Sequence, residues 1–471
     1  MIILFAKICL FITIICANTL NIYPLIYGTY ESKGGTWSSS TKNVLLGGWG
    51  IVSTYGNENL TIELDFYNNR FYGLKEKPNT FSKEQGLSWF SAVDSENNTN
   101  SDKFDFDVTN AKIQYEFDDF KINFGKFNRH WGFGKSSLIV SNKSPSFVQI
   151  GLDWDINSKI NLEYFHGSLN SLIPNFTDSS YYSPRVNKFP NKNRFLAAHR
   201  INYKINPKIT LSASELVIYG VRNFDLMYSI PIIPFWSLQH YIGDLDNIQI
   251  SFDFKYQYNE NTNFYGSIMI DEWSPILTFD EDERNWFAYQ IGTSGNNLFF
   301  EDKYCVEFNW TDHRTYRHRS NINDFYNHDY PIGFWAGPHA EELYFNYLVD
   351  LKFLDFEIDF SKAKRGELTQ EMLNNQYNDL ETNYERFSND TESITNMSLI
   401  IRKNFSNGIS INTGLRFVDW KNSNFDPYNP NSNELIDINK ESLIFGVSYN
   451  FDIKNQKSLV NKNSKKIYQI K

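Results

Sequence analysis

Cysteine and long apolar runs are both scarce in this sequence of 471 residues. Beyond an apolar leader the chain keeps only Cys305, so it can form no disulfide within itself, and we expect that thiol to be inert. No later stretch reaches the ~20 consecutive apolar residues that a transmembrane helix requires. This excludes a helical membrane protein. It does not exclude a membrane barrel, because barrel strands alternate in polarity.

The leader, residues 1–17, is typical of a secretory signal. Ile8–Ile15 form an apolar run that is too short to span a bilayer, and Lys7 is the only positive residue of a weak n-region before it. Ile15-Cys16-Ala17 offers a cleavage site that ends in a small residue. Cys16 also admits a lipoprotein anchor, although Ile15 stands where a small residue is expected. We therefore predict a cleavable signal peptide and export.

Linkers and catalytic signatures are missing as well. No segment rich in proline, glycine or serine divides the chain, and the net charge of -10 argues against nucleic acid as a partner. There is no Gly-x-Ser-x-Gly elbow, phosphate-cradling loop or dinucleotide fingerprint. We expect no enzyme activity and no cofactor. A surface hydrolase with paired carboxylates stays open only because any acidic chain is compatible with one.

What the sequence does contain is alternating polarity from Val44 to Phe451. In the clearest part, a two-residue turn at Asp118-Asp119 joins two strands. The predicted cross-strand pairs are Phe117 with Phe120, Tyr115 with Ile122, Ile113 with Phe124, Glu116 with Lys121, and Gln114 with Asn123. Each strand then has one apolar and one polar face, as both a soluble sandwich and an outer-membrane barrel require.

Tight turns alternate along the chain with long polar segments. The predicted strand pairs are Val44–Tyr55 with Leu60–Tyr67, Val148–Ile156 with Lys159–His166, Phe195–Ile205 with Lys208–Tyr219, Ile248–Tyr258 with Phe264–Asp271, and Thr395–Phe405 with Ile409–Val418. The long segments are 68–110, 167–194, 311–342, 361–392 and 421–440. A sandwich has no reason for this rhythm, whereas an outer-membrane barrel has short periplasmic turns and long extracellular loops.

We therefore predict an all-β fold, a single transmembrane antiparallel β-barrel over residues 18–452. Counting Asn21–Tyr30 as the first strand gives about eighteen strands, with both chain termini on the periplasmic side. Aromatic residues make up 17% of the chain, which suits aromatic girdles or sugar-stacking surfaces. Residues 453–471 form a charged tail that we expect to be disordered.

Two segments break the alternation. The first, residues 125–142, is GKFNRHWGFGKSSLIVSN, and the second, residues 330–342, is YPIGFWAGPHAEE. Both segments resemble the capsule-assembly outer-membrane proteins of the Wzi family, in the form that lacks an N-terminal helical region. The resemblance extends to Ala198-His199-Arg200, to Ser214-Glu215-Leu216 and to Asp246-Asn247. It implies a monomeric eighteen-stranded barrel in the outer membrane that acts as a lectin for capsular polysaccharide.

The chemistry of the first segment suits a sugar. Trp131 and Phe133 offer flat apolar faces for pyranose rings, and Arg129 and Lys135 can meet acidic groups. Gly132 and Gly134 let the backbone approach closely. The alternative is structural, with Trp131 plugging the barrel and the two cations paired with carboxylates that face the lumen. The residue types alone do not decide between these interpretations.

The second segment adds Trp335, His339 and Glu341 as candidate ligand-binding residues at the same mouth of the barrel. His339 and the adjacent carboxylates also admit a metal or an acid–base pair. Four histidines fall within a short span (His313, His318, His328 and His339), but their spacing matches no zinc pattern, which favours solvated loop histidines. No metal is predicted. The leading hypothesis is a polysaccharide-binding barrel, and the alternative is a channel for small solutes or oligosaccharides.

Overall fold

The computed structural model describes residues 19–74, 81, 102–178, 189–273, 276, 278, 285–377 and 385–451. The predicted signal peptide and charged tail lie outside these residues. The strands are β1 (Thr19–Glu31), β2 (Val44–Gly56), β3 (Leu60–Tyr72), β4 (Lys103–Phe117), β5 (Phe120–Phe127), β6 (Phe147–Asp155), β7 (Ile160–Pro174), β8 (Asn191–Asn206), β9 (Ile209–Gly220), β10 (Asn247–Gln257), β11 (Thr262–Glu272), β12 (Trp286–Asn296), β13 (Asp302–Thr311), β14 (Tyr326–Asn327), β15 (Tyr330–Pro331), β16 (Ala340–Asp350), β17 (Asp355–Gly366), β18 (Thr391–Asn404), β19 (Ile409–Lys421) and β20 (Ile438–Asn450).

All of these strands except β14 and β15 form one 18-stranded antiparallel sheet, which closes because β1 pairs with both β2 and β20. The predicted single barrel is confirmed. Among the residues that the structure describes, two short α-helices, Phe235–Gln239 and Gln370–Tyr377, and four 3-10 turns, Ser32–Gly34, Leu226–Ser229, His240–Ile242 and Asn321–Asn323, lie in the connections. Within the described part of the chain, no helix is long and apolar enough to cross a membrane.

The connections gather at two ends of the barrel. One end, here the short-turn end, carries 57–59, 118–119, 156–159, 207–208, 258–261, 297–301, 351–354 and 405–408, together with the start of β1 and the end of β20. At the other end, the long-loop end, the strands are joined by the connections 32–43, 73–102, 128–146, 175–190, 221–246, 273–285, 312–339, 367–390 and 422–437.

The strand register agrees with the hairpin predicted between residues 113 and 124, in which Phe117 faces Phe120 and Glu116 faces Lys121. Several strands extend further toward the long-loop end than the sequence predicts. The strand β3 continues past Tyr67 to Tyr72, where Arg70 pairs with Asp105 and Asn68 donates to Asp107 across the sheet. These cross-strand polar pairs stabilise strand segments whose composition alone favours a loop.

The two faces of the barrel differ as the alternation predicts. Exposed apolar side chains cover the outside, among them Ile113, Ile122, Phe124, Ile201, Leu211, Phe252, Phe254, Phe308, Leu415, Phe417, Leu443 and Phe445. Buried polar side chains line the lumen, among them Asn123, Gln149, Arg200, Ser251, Asp253, Gln290, Glu307, Asn309, Glu342, Arg416 and Lys440. An apolar exterior around a polar interior is the arrangement that a lipid bilayer stabilises.

Two long connections, 128–146 and 312–339, fold into the lumen and bind each other, and we call them together the plug. The backbone N–H of Ser141 donates to the Ile332 carbonyl at 2.8 Å, and the Tyr316 hydroxyl donates to the Leu138 carbonyl at 2.5 Å. Their apolar residues form one buried cluster with lumen-facing residues of strands from β7 round to β20: Phe165, Leu196, Leu216, Met269, Ala288, Ala340, Ala363, Ile394, Trp420 and Ile438. Both segments that break the alternation therefore meet in one core inside the barrel.

Candidate functional site

The first segment is held in the lumen by Glu307 of β13. The Glu307 carboxylate accepts the backbone N–H of Lys135 at 2.7 Å and that of Ser136 at 2.9 Å, and it also accepts the Tyr265 hydroxyl at 2.8 Å. Gly134 passes so close that a Cβ there would lie 2.5 Å from Glu307 Oε2. The close backbone approach that the sequence suggested at Gly134 thus has a specific partner, a buried carboxylate.

Phe133 stands beside a second ionic group in the lumen. Arg200 of β8 pairs with Asp253 of β10 at 2.7 Å, and both side chains are buried. The Arg200 guanidinium also lies 5.7 Å from the centre of the Phe133 ring. The Lys135 side chain is exposed, so this part of the plug presents a cation to the lumen.

Trp131 does not offer its ring face as the sugar interpretation expects. It is only 3% exposed, and its indole N–H donates to Glu163 of β7 at 3.0 Å. The ring packs edge-on against Phe165 at a centroid distance of 5.1 Å. The buried position favours the alternative in which Trp131 stabilises the plug.

Trp335 repeats this arrangement on the other connection. It is 8% exposed, and its indole N–H donates at 2.9 Å to Glu342, which also accepts the Ser361 hydroxyl. The Phe81 ring lies 5.4 Å from the Trp335 ring. Each of the two plug tryptophans is therefore fixed by one carboxylate of a barrel strand and one phenylalanine.

His339 and Glu341 do not join the other candidates. His339 is fully buried, its Nδ1 lies 2.8 Å from the Glu367 carbonyl, and its ring stacks on Phe387 at 4.8 Å. Burial lowers the pKa of His339 to about 4, so the ring is neutral at pH 7. Glu341 points outward, because its neighbour Glu342 faces the lumen and the strand alternates. These positions do not favour the prediction that His339 and Glu341 bind a ligand together with the other candidates.

Arg129 lines a polar cavity of about 460 Å³ beside the plug. Its guanidinium donates to Asn123 and Gln149 of the barrel wall and lies over the Phe165 ring at 4.9 Å. Burial lowers the pKa of Arg129 to about 10, so the group keeps its charge at neutral pH. The other residues that line the cavity are Glu63, Asp65, Asn110, Lys112, Phe127, Asn128, His130, Trp131 and Glu163.

Several of the strand residues that line the cavity come from the short-turn half of the barrel. Glu63 and Asp65 come soon after the turn that begins β3, and Glu163 comes soon after the turn that begins β7. These residues were not predicted as site residues. The signal was present, since Glu63 and Asp65 alternate with the exposed Leu64 and must face the lumen.

Chemically, the cavity is suited to a hydroxyl-rich or mixed-charge ligand rather than a metal. Carboxylates and amides accept and donate hydrogen bonds, while Lys112 and Arg129 supply two cations for an acidic group. Its volume falls within the range of pockets that hold small ligands. Among the residues that the structure describes, no group of three or more His, Cys, Asp or Glu side chains is placed to hold a metal ion.

The protein resembles known proteins in its structure but not in its sequence. No protein-family model matches the sequence, and no curated protein matches it either. The barrel is similar to Wzi, an outer-membrane protein of Escherichia coli involved in group 1 capsule assembly and described as a carbohydrate-binding β-barrel. That match has a TM-score of 0.55 and 14% identity, and it covers 95% of this chain and 88% of that one.

Other solved structures match with lower scores. Acinetobacter baumannii OccAB2 has a TM-score of 0.48 and 11% identity, and the match covers 93% of this chain and 99% of that one. Pseudomonas aeruginosa OccK8 has a TM-score of 0.46 and 8% identity, and the match covers 92% of this chain and 98% of that one. The likeness to Wzi, which is the stronger match, shows that this chain has an outer-membrane β-barrel fold.

Proposed function

We propose that this protein binds capsular or surface polysaccharide in the outer membrane and helps to attach or assemble the capsule at the cell surface. The two segments that resemble the Wzi family support the proposal, because the structure brings them together as the plug. The similarity in fold to a barrel described as carbohydrate-binding is consistent with it. In this proposal the protein is a binding protein and not an enzyme.

One observation carries the proposal furthest, the polar cavity against the plug. Its lining combines the aromatic residue Trp131, two cations and several carboxylates within one space in the lumen. Sugars are recognised by such planar polar groups together with apolar ring contacts. We infer that the polymer contacts Arg129 and its neighbours in this cavity rather than the buried faces of the two tryptophans.

The plug also bears on the alternative function. A diffusion channel needs a path past the constriction, whereas here a buried apolar cluster joins the plug to strands from β7 round to β20. The cavity is the feature that favours a channel, because it keeps part of the lumen polar and open. Steady single-channel currents from the purified protein in planar bilayers would favour the channel, and closed traces would favour the binding protein.

Two measurements test the proposal directly. Deletion of the gene should release surface polysaccharide into the medium, and the intact gene should restore retention. The purified protein in detergent should bind the polysaccharide of its own host. Binding is measured as a shift in the electrophoretic mobility of the protein or as retention of the polysaccharide on the immobilised protein. If the deletion strain retains its polysaccharide and the pure protein binds none, the proposal is wrong. Turnover of the polymer, abolished by removal of single carboxylates, would instead indicate a hydrolase.

A further inference from the structure

The connection 221–246, here called the strap, folds over the outside of the barrel. It runs from β9 to β10 and contains the short helix Phe235–Gln239 between two 3-10 turns. Its buried residues Tyr228 and Phe235 pack with Tyr164, Ala197 and Val217, which lie on the outward faces of β7, β8 and β9. The strap therefore covers a sector of wall that would otherwise face the membrane.

The wall beneath the strap is unusually polar for an outer surface. His199 and Glu215 are cross-strand neighbours, and both face outward because Arg200 and Ser214 face the lumen. A carboxylate on the lipid-facing surface is costly unless it is covered and hydrogen-bonded. The sequence thus places on this face a charged group that requires a cover.

The strap provides hydrogen-bond donors for Glu215 and a ring that packs on His199. Glu215 accepts the backbone N–H of Phe235 at 2.7 Å and that of Trp236 at 2.6 Å, and the Phe235 ring stacks on His199 at 4.4 Å. A hydroxyl bond from Tyr164 to the Tyr228 carbonyl, 3.0 Å long, joins the strap to β7. The strap is thus docked on the wall by buried polar bonds as well as by apolar packing.

The charges of the strap itself are also turned inward. Asp246 accepts a forked pair of hydrogen bonds from Arg222 at 2.7 and 2.6 Å, and it accepts the Tyr228 hydroxyl at 2.7 Å. The side chain of Asp246 has no exposed surface. Of the ionisable strap side chains, His240 and Asp244 stay largely exposed, as a pair 3.6 Å apart.

The opposite face of the strap is apolar and open. Leu226 is 75% exposed, Ile232 71% and Tyr241 81%, and further exposed apolar residues of the strap are Val221, Phe224, Ile230, Trp236 and Leu245. The same outer surface continues below the strap into exposed strand residues such as Ile201, Leu211 and Phe252. The apolar band of the barrel is therefore continuous across the edge of the strap.

We propose that the strap is a membrane-contact element whose outer face lies against the acyl chains of the lipid bilayer. In this sector the strap replaces the strands as the lipid-facing surface, and the strands beneath are free to carry His199 and Glu215. The occupant is lipid because the exposed face continues the barrel's lipid-facing band and hides its other charges in internal pairs. The inference rests on the outer-membrane placement in the proposed function.

The test attaches an environment-sensitive fluorophore at one position of the strap. The three cysteines, Cys9, Cys16 and Cys305, are replaced by serine, and Ile232→Cys supplies the label site in protein reconstituted into phospholipid vesicles. The matched controls are Leu211→Cys, on the outer face of β9, and Glu434→Cys, exposed in the long connection 422–437. Quenching by brominated lipids is compared with quenching by iodide in the water.

We expect the label at 232 to be quenched by brominated lipid within about twofold of the label at 211, and to be protected from iodide, as water-exposed 434 is not. Iodide quenching at 232 without lipid quenching would overturn the inference by placing the strap in water. Protection from both quenchers would overturn it in favour of a protein partner or second copy. Failure of lipid quenching at 211 would count against the membrane placement itself.

Discussion

Glu307 and Lys135 are 172 residues apart in sequence, yet the Glu307 carboxylate accepts the Lys135 backbone N–H at 2.7 Å inside the barrel. The bond joins the middle of β13 to the connection after β5, and Ser136 adds a parallel bond to the same carboxylate. Because the acceptor is a buried carboxylate with several donors, these hydrogen bonds are stronger than hydrogen bonds between neutral groups. The plug is therefore fixed to the barrel wall at a definite point.

Replacing Glu307 by alanine should release the plug connection 128–146 from the barrel wall without unfolding the barrel. The change leaves the N–H groups of Lys135 and Ser136 without their acceptor, at a cost of roughly 3 kcal/mol or more in plug docking, which is about a 100-fold rise in the open fraction. Planar-bilayer conductance should show new openings. Glu301→Gln, in an exposed turn, is the control. Unchanged closed traces from a folded Glu307→Ala barrel would contradict the anchoring role.

Trp131 gives a test that separates ring packing from the hydrogen bond of the indole N–H. Trp131→Ala should create a cavity that costs about 3–5 kcal/mol, loosen the plug and release polysaccharide from cells. Trp131→Phe keeps a ring against Phe165 but removes the N–H that Glu163 accepts, so it should lose much less. If the two variants release polysaccharide equally, the hydrogen bond matters more than packing. Heat-modifiable migration on gels should show both barrels folded.

A structural feature can be predicted from this sequence when the residues that determine it are close together along the chain. Polarity of period two and the turn at Asp118-Asp119 are local, and they predict the barrel and the register of its hairpin. The buried state of Trp131 depends on Glu163 and Phe165, which come from another strand. No period in a loop encodes such a contact, so the sequence alone leaves open whether Trp131 binds sugar or packs in the plug.

Two other features could be predicted from the alternation of lumen-facing and outward-facing residues along a strand. Glu63 and Asp65 occupy lumen-facing positions of β3, so their place in the cavity follows from counting along the strand. Glu215 occupies an outward position of β9, where a charge conflicts with lipid. Such a conflict predicts a cover, but the strap that supplies it is recognisable only once the connection is folded.

Acid should loosen the plug. Burial lowers the pKa of His313, His318 and His339 to about 4, against 6.5 for an ordinary histidine. Because the packed state disfavours their protonation, their stabilisation is complete above about pH 6.5 and is lost as the pH falls through about 4. Asp324 acts in the opposite direction, since burial raises its pKa to about 6 and protonation favours the packed state.

Because three histidines of the connection 312–339 act against Asp324 of the same connection, we expect conductance and protease cleavage within 312–339 to rise between pH 6.5 and 4 while the β-sheet spectrum stays constant. His318→Asn, which cannot be charged, should shift the rise to lower pH. Asp324→Asn should leave the acid opening in place and remove its opposing contribution. A plug whose accessibility is the same at pH 7 and pH 4 would disagree with these shifts.

Arg129 is the residue through which an acidic polymer should be recognised in the cavity. Its Nε and Nη2 are engaged by Gln149 and Asn123, which fix the guanidinium beside Lys112 and Glu163. Arg129→Ala removes the charge and the ring contacts, so binding of purified polysaccharide should fall at least about tenfold. Arg129→Lys keeps the charge but not the planar fork, so we expect an intermediate loss.

Salt separates the electrostatic part of this effect from the structural part. If the polymer is acidic, affinity of the wild-type protein should fall as sodium chloride rises, and Arg129→Ala should flatten that dependence because one cation no longer contributes. Lys159→Ala, in an exposed short turn, serves as the matched loss of charge outside the cavity and should change neither affinity nor slope. Wild-type affinity in Arg129→Ala would place the polysaccharide site elsewhere. Equal weakening by Lys159→Ala would reduce the effect to net charge alone.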